Sequence, residues 1–553
     1  MLRYWNGYAT SNELNRTMGR RWRSLLQFLG LFCLFCLLAV SCTGSLPTTQ
    51  ASDRVRIGTT LKIRTLDPAD AYDIASNLII YNLSDRLYSY DAETGEIVPQ
   101  LATELPTIST DNLTYTIPLR QGVVFHDGTP FNAEAMVFSL RRFIESKGGP
   151  SFLIADFIQN IEATGEYELT ITLNRPFSPF VSVLAYPGLC AVSPEYYTIA
   201  EGNFKPDVFV GTGPYRLVNF GNDAITLEVF DRYWGDKPDN SGIDLQRFSS
   251  SANLYNAFRS AAIDVAYHSL DSDQTQSLEK LAPEFGWSVI SADSNVINYM
   301  VLNSKQPPLD RLKVRQALAS AIDRNLIDDR VFYGQAEPLY SLIPKAFEVY
   351  EPVFQKQYGD ANLDMAKSLL KEAGFSVDNP ATIEIWYPSG SADRRLGATV
   401  IEAQIERDLD GIIDIEPHAV EATTAYGFLD RGVYPIFMLD WYADFFDVDN
   451  YIKPFLDCAD GSEDTGCIEG ETQIHGSFFY SDRVNELVDR QRRESNPEVR
   501  KQILYRLQEV VAENVPYIPL WQSRDYAFAG ADITGVQLTP GQQLLRFASI
   551  SRQ

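Results

Sequence analysis

Apolar positions along this chain fall into two alternating periods. Ile436, Phe437, Met438 and Leu439 form a continuous apolar run, which predicts a short strand covered on both faces, with Pro435 tolerated where the strand begins. Residues 55–63 (VRIGTTLKI) predict an opening strand, and residues 113–119 (LTYTIPL) alternate as a half-buried strand does. Residues 75–87 take helical spacing, with Leu78, Tyr81, Asn82 and Asp85 dividing apolar from polar faces. Asn132 is placed to cap a helix through Val137, Phe138, Leu140 and Phe143. Asp310 is placed to cap another, whose Val314, Leu318, Ile322 and Leu326 recur on one face. Asn362 opens and Gly374 closes a third, with Leu363, Ala366, Leu370 and Ala373 inward. Asn496-Pro497 starts a fourth, with Val499, Ile503, Leu507 and Val510 packed. GTGPYRL at 211–217 leads into a strand, its glycines permitting positive φ. Such alternation of strands and helices predicts α/β lobes.

The N-terminus carries a different pattern. Arg16, Arg20, Arg21 and Arg23 precede an apolar run at 25–40 interrupted only by Gln27 and Gly30. That run is short for a membrane span, which needs about 20 residues, and suits the core of a secretory signal. It ends in Leu38-Ala39-Val40-Ser41-Cys42, which resembles the lipobox of bacterial lipoproteins, although Ala39 stands where leucine is commonest. The resemblance implies a signal peptide at 1–41, a lipidated Cys42, and a small, polar tether at 42–54. The alternatives are a plain cleaved signal or a short anchor helix; Arg20-Arg21 also hints at twin-arginine export.

With 553 residues, 45% of them hydrophobic, the chain is globular and long enough for two to four domains. A net charge of −26 argues against nucleic acid, whose phosphates it would repel, and is compatible with simple solubility. Cys33 and Cys36 leave with the signal, so the exported chain keeps Cys190, Cys458 and Cys467 besides Cys42. Cys458 and Cys467 bracket the polar loop ADGSEDTG, which in an oxidising compartment predicts a disulfide. Adding His475 gives Cys-x8-Cys-x7-His, which matches no usual zinc spacing, and no metal or cofactor is expected. Cys190 is expected to be a buried thiol.

The stretch with the most chemistry follows the apolar run at 436–439. Trp441-Tyr442 is flanked by Asp440, Asp444, Asp447 and Asp449, and no lysine or arginine lies between Arg431 and Lys453. Aromatic faces beside an unneutralised carboxylate suit a cationic or amino-bearing ligand; a solvated acidic turn is the plain alternative. A hydrolase would need paired carboxylates or a nucleophile–base pair. There is no Gly-x-Ser-x-Gly or His-Glu-x-x-His, and His126, His268, His418 and His475 are scattered.

Several blocks carry a family resemblance. VPQLATEL, then LTYTIPLRQGVVFHDGTPFNAEAMVFSLRR, resembles the signature of family 5 extracytoplasmic solute-binding proteins, the dipeptide, oligopeptide and nickel receptors of ABC importers. GTGPY at 211–215, RYWGDKPDNSGID, NAFRSAAIDVA, NYMVLNSKQPPLDRLKVRQALASAIDRNLI with YGQAEPLYSLIP, DMAKSLLKEAGF and WYADFFDVDN follow in the family's order. Ala135, Ala262 and Val448 depart from the family's usual aspartate, glycine and proline.

The resemblance implies an α/β, two-lobed periplasmic-binding-protein fold with an extra α+β subdomain inserted in the first lobe at about 82–212. Lobe I would comprise 55–297 and 522–553, and lobe II 298–521. It implies a monomeric, non-enzymatic receptor that closes over a peptide ligand, delivers it to an ABC permease and ATPase complex, and is lipid-anchored at the outer face of the plasma membrane. Receptors for a nickel or metal chelate, or for an oligosaccharide, are the alternatives, with a hydrolase more remote. By position, Asp444 would pair with a peptide's α-amino group. Leu439, Asp440, Trp441 and Tyr442 would flank the ligand's backbone, and the turn at 70–73, with Tyr72 and Asp73, would face them. Arg394 or Arg395, at a helix start, is the candidate for a carboxylate, with a solvated first turn as the plain alternative, and Trp386 and Tyr387 are candidates for a side-chain pocket, with core packing as the alternative.

Overall fold

A computed structural model describes residues 53–91, 94–268, 270–539 and 544–553. The predicted signal, Cys42 and nearly all of the tether lie outside the described residues. Among those described, no helix is long and apolar enough to cross a membrane.

The fold is organised on one mixed sheet of eleven strands. At one end, Ala381–Pro388 pairs in parallel with Ile413–Val420 and, for two residues, with Ile436–Trp441. At the other, Val55–Thr59 runs parallel to Gly242–Arg247 and Val265–Tyr267. Two long antiparallel strands, Ser288–Leu302 and Tyr517–Ala529, join the ends. Ile297–Leu302 carries the Ile436–Trp441 strand, whereas Ala527–Ala529 carries Val265–Tyr267. Between Asp293 and Ile297 the register slips, with Ser294, Asn295 and Val296 bulging where the two halves of the sheet meet.

Each half buries its own core. One gathers Val55, Ile57, Leu78, Leu245 and Tyr215 with the C-terminal Leu545, Phe547 and Ile550. Another gathers Val314, Leu318, Ile383, Ile401, Phe437, Leu439 and Leu507. A third fills the space between a separate four-stranded sheet and the helix Ala133–Glu145, which Asn132 caps by accepting a hydrogen bond from the Ala135 amide.

Several local expectations are corrected. The opening strand ends at Thr59 and the next helix spans Ile74–Leu83. The helix at 312–321 is capped at Arg311, not Asp310, and breaks at the extended Ile322; Asp323 then caps a separate turn, Arg324–Ile327. Val499, in the first turn of Pro497–Asn514, is exposed, whereas Ile503, Leu507 and Val510 are buried. Gly211 and Gly213 do not need positive φ. A side chain at Gly213 would instead drive into the backbone at Leu83 and Ser84, so close approach explains that glycine. The same junction is tied by buried Asp85, which accepts hydrogen bonds from Thr212 Oγ1 (2.9 Å), Trp234 Nε1 (2.8 Å) and the Tyr233 hydroxyl (3.2 Å).

Candidate functional site

The apolar run Ile436–Leu439 is fully buried, and its strand delivers Asp440 and Trp441 to a cavity of about 630 Å³. Leu439 through Ala443 and Asp444 line one side; Tyr72, Asp73, Asn77, Tyr186 and Pro187 line the facing side. The volume is in the range of small-ligand sites, about 300–1,000 Å³. Parallel pairing with Ala381–Pro388 stops at Phe437, so the last residues of this strand have a neighbouring strand on one edge only.

Electrostatics separates the four acids of the stretch. Asp440 pairs with Arg394 at 2.5 Å, Asp447 with Arg500 at 2.5 Å, and Asp449 with Arg492 at 3.1 Å. The cations absent from the local sequence therefore arrive from other elements. Among the described residues Asp444 has no ion-pair partner. Asn450 organises its loop: the Asn450 Oδ1 accepts from Trp441 Nε1 (3.2 Å) and from the Asp444 amide (3.0 Å), and its Nδ2 donates to Asp444 Oδ2 (3.4 Å). Tyr72 hydrogen-bonds the same carboxylate from the facing side. Burial raises the Asp444 pKa from its ordinary value to about 6, against the lowering effect of the Tyr72 and Asn450 hydrogen bonds. Beyond Asp444, Phe445 inserts into the core of the four-stranded subdomain, and the Phe446 amide donates to the Tyr90 hydroxyl at 3.3 Å.

The facing side is fixed with equal care. Asp73 caps the helix Ile74–Leu83, accepting from the Ser76 amide at 2.8 Å, so its carboxylate is partly committed. Tyr186, buried, donates to the Ala71 carbonyl at 2.9 Å and accepts from Asn77 Nδ2 at 3.2 Å. The Oδ1 atoms of Asn77 and Asn295, both buried, have no hydrogen-bond partner, and both residues line the cavity. His475 Nδ1 lies 3.0 Å from the Glu471 carbonyl, to which it donates; burial lowers the ring's pKa and keeps it neutral.

Arg394 lines an adjoining cavity of about 710 Å³ that shares Val296, Tyr426, Asp440 and Tyr442 with the first. Three candidates lie elsewhere. Arg395 is exposed and lines neither cavity. Tyr387 is buried in the core, and Trp386 turns to the opposite face of its strand, where its indole donates to Glu384 at 2.8 Å. The alternation of a strand explains this: Ile383, Ile385 and Tyr387 point inward, which sends Trp386 outward. Sequence reasoning missed Asn450, Asn295 and His475. Asn450 is detectable as the turn residue ending DVDN; the other two carry no local signal.

The comparisons with known proteins agree with this architecture. A profile of the bacterial extracellular solute-binding proteins, family 5, matches residues 96–463. The glutathione-binding protein GsiB of Salmonella typhi is 26% identical over 529 residues, covering 93% of this chain and 98% of that protein. The periplasmic binding protein DppA of Helicobacter pylori, solved with the peptide STSA, superposes with a TM-score of 0.73 at 25% identity, covering 91% of this chain and 98% of that one. NikA of Brucella suis, solved with Fe(III)-EDTA, shares the fold, with a TM-score of 0.78 at 18% identity over 90% of this chain and all of that one. By fold and by sequence, this chain belongs to the family 5 bacterial extracellular solute-binding proteins, the binding components of ABC importers.

Proposed function

We propose that this receptor binds short peptides with a free amino terminus and presents them to an ABC permease. The observation behind this is Asp444, the one acid of its stretch without a cation among the described residues, set in a cavity lined by aromatic rings. A ligand ammonium supplies the missing charge. The main-chain groups of Leu439–Trp441 can pair with an extended ligand irrespective of its side chains. Glutathione, named for the relatives, and the di- to tetrapeptides of the solved neighbours belong to this class. Arg394 is held by Asp440, so it would reach a ligand carboxylate only by exchanging partners.

Enclosure follows from two lobes, 55–297 with 522–553 and 298–521, carrying the insert at about 82–212. A ligand touching Asp444 and Tyr72 together selects the closed arrangement. We place the exported chain at the outer membrane face, tethered as a monomer through Cys42, and acting without chemical turnover. A metal chelate is the second candidate, because the neutral His475 leaves its Nε2 lone pair available in the same cavity. Calorimetric titration with a panel of peptides, their N-acetylated forms, glutathione and Ni-histidine separates the two. Peptides should bind, and acetylation should abolish that binding. Equal affinity for acetylated and free peptides, or binding of the chelate alone, would overturn the assignment.

A further inference from the structure

The edge of the eleven-stranded sheet formed by Ile413–Val420 carries a second cluster of donors. Glu384 and Glu416 stand directly abreast on the parallel strands Ala381–Pro388 and Ile413–Val420, and Trp386 and His418 stand abreast two residues further on. All four occupy one face, because Ile383, Ile385, Ile413 and Ile415 fill the core on the other. One donor atom each from Glu384, Glu416 and His418 lies within 4.8 Å of the other two. None of the three lines either cleft cavity.

Two like charges in direct register cost stability unless something neutralises them. Among the described residues no lysine or arginine pairs with Glu384 or Glu416; the nearest positive candidate is His418, whose Nε2 is 3.6 Å from Glu416 Oε2. That Nε2 is shielded from solvent and has no hydrogen-bond partner. Surrounding side chains hold Glu384 and His418 in place, while Glu416 is exposed. The Trp386 indole donates to Glu384 Oε2 at 2.8 Å and lies tilted against the His418 ring, with centroids 4.8 Å apart. Tyr434 backs the indole at 5.3 Å. An oriented imidazole with two carboxylates, one of them fixed by an outer hydrogen bond, is the donor set of a borderline divalent metal.

We infer that Glu384, Glu416 and His418 form a divalent transition-metal site, of the Zn²⁺, Ni²⁺ or Cu²⁺ class, on the outer face of this sheet edge and separate from the ligand cleft. The remaining coordination positions face outward, to water or to a donor on another molecule. Mg²⁺, which prefers all-oxygen octahedral ligands, should not compete.

The exported chain, stripped with a chelator, is titrated calorimetrically with Zn²⁺ and with Ni²⁺. One ion should bind per chain. His418→Ala and the double change Glu384→Gln with Glu416→Gln should each weaken binding at least tenfold, and His475→Ala should leave it unchanged. Cu²⁺ should quench a fluorescence component that Trp386→Phe removes. Peptide affinity should be the same with and without the ion, which keeps this test independent of the proposed function. Absence of binding, wild-type affinity in His418→Ala, or loss of binding in His475→Ala would overturn the assignment.

Discussion

Asp444→Asn isolates the charge at the centre of the cleft while keeping the side chain's shape and one acceptor for Tyr72 or Asn450. In the wild type the carboxylate is enclosed, lacks a cation among the described residues, and has only uncharged partners, the Tyr72 hydroxyl and the Asn450 amide at 3.4 Å. A ligand ammonium therefore meets an acid whose other partners are neutral. Removing one partner of an enclosed ion pair costs about 3–5 kcal/mol. Part of this is offset, because the carboxylate is already strained by burial in the free protein, as its pKa of about 6 records. A net loss of about 3 kcal/mol remains, or roughly 150-fold in Kd. Calorimetry with a free and an N-acetylated tripeptide on both proteins completes a double-mutant cycle. The free peptide should lose about two orders of magnitude in the variant, and the acetylated one should barely distinguish the two proteins. A change under threefold for the free peptide, or an equal loss for both peptides, would refute the reasoning.

The same pKa makes binding depend on pH. Below about 6 the free protein protonates Asp444, so peptide affinity should fall by up to tenfold per pH unit, and Asp444→Asn should flatten that profile. For the unliganded fold the sign is opposite: a raised carboxylate pKa stabilises below the unfolded value and loses that contribution as pH rises to about 6. Asp444→Asn should then unfold at higher temperature than wild type at pH 8 and equally at pH 4, by thermal melting. Asn450→Ala removes the acceptor shared by Trp441 Nε1 and the Asp444 amide, and should weaken peptide binding about tenfold through one or two lost hydrogen bonds. The Cys458–Cys467 disulfide closes a short loop, and replacing both cysteines by serine should cost about 2–3 kcal/mol in denaturant unfolding. Cys42→Ser should release the protein from membranes in fractionation; continued membrane association would rule out the lipid anchor.

Much of the scaffold was legible because it rests on local chemistry. The Asn132 cap, the buried run Ile436–Leu439 and the Asn362 and Asn496 helix starts each depend on residues within a few positions. The disulfide between Cys458 and Cys467 likewise joins the two ends of a single polar loop. The pairing of the acids was not legible. Arg394, Arg492 and Arg500 come from distant helices, so the stretch reads as four equivalent carboxylates until the fold distinguishes Asp444. The roles of Trp386 and Tyr387 stay open in the sequence because IEIWYPSG does not disclose which of its two faces meets the core. The break at Ile322 was hidden by a periodicity that continues across it, since Asp323 begins a new turn in nearly the same phase. The surroundings of His418 are only half legible for a related reason: Glu416 stands two residues away on the same strand, whereas Glu384 and Trp386 lie on an adjacent parallel strand, which sequence spacing does not reveal.

The central claim is that a guest's amino group supplies the charge Asp444 lacks. A crystal structure with a bound tripeptide tests it most directly. The peptide nitrogen should sit about 3 Å from the Asp444 carboxylate, with the peptide backbone running beside Leu439–Trp441. An amino group bound elsewhere, with Asp444 left facing solvent, would contradict it.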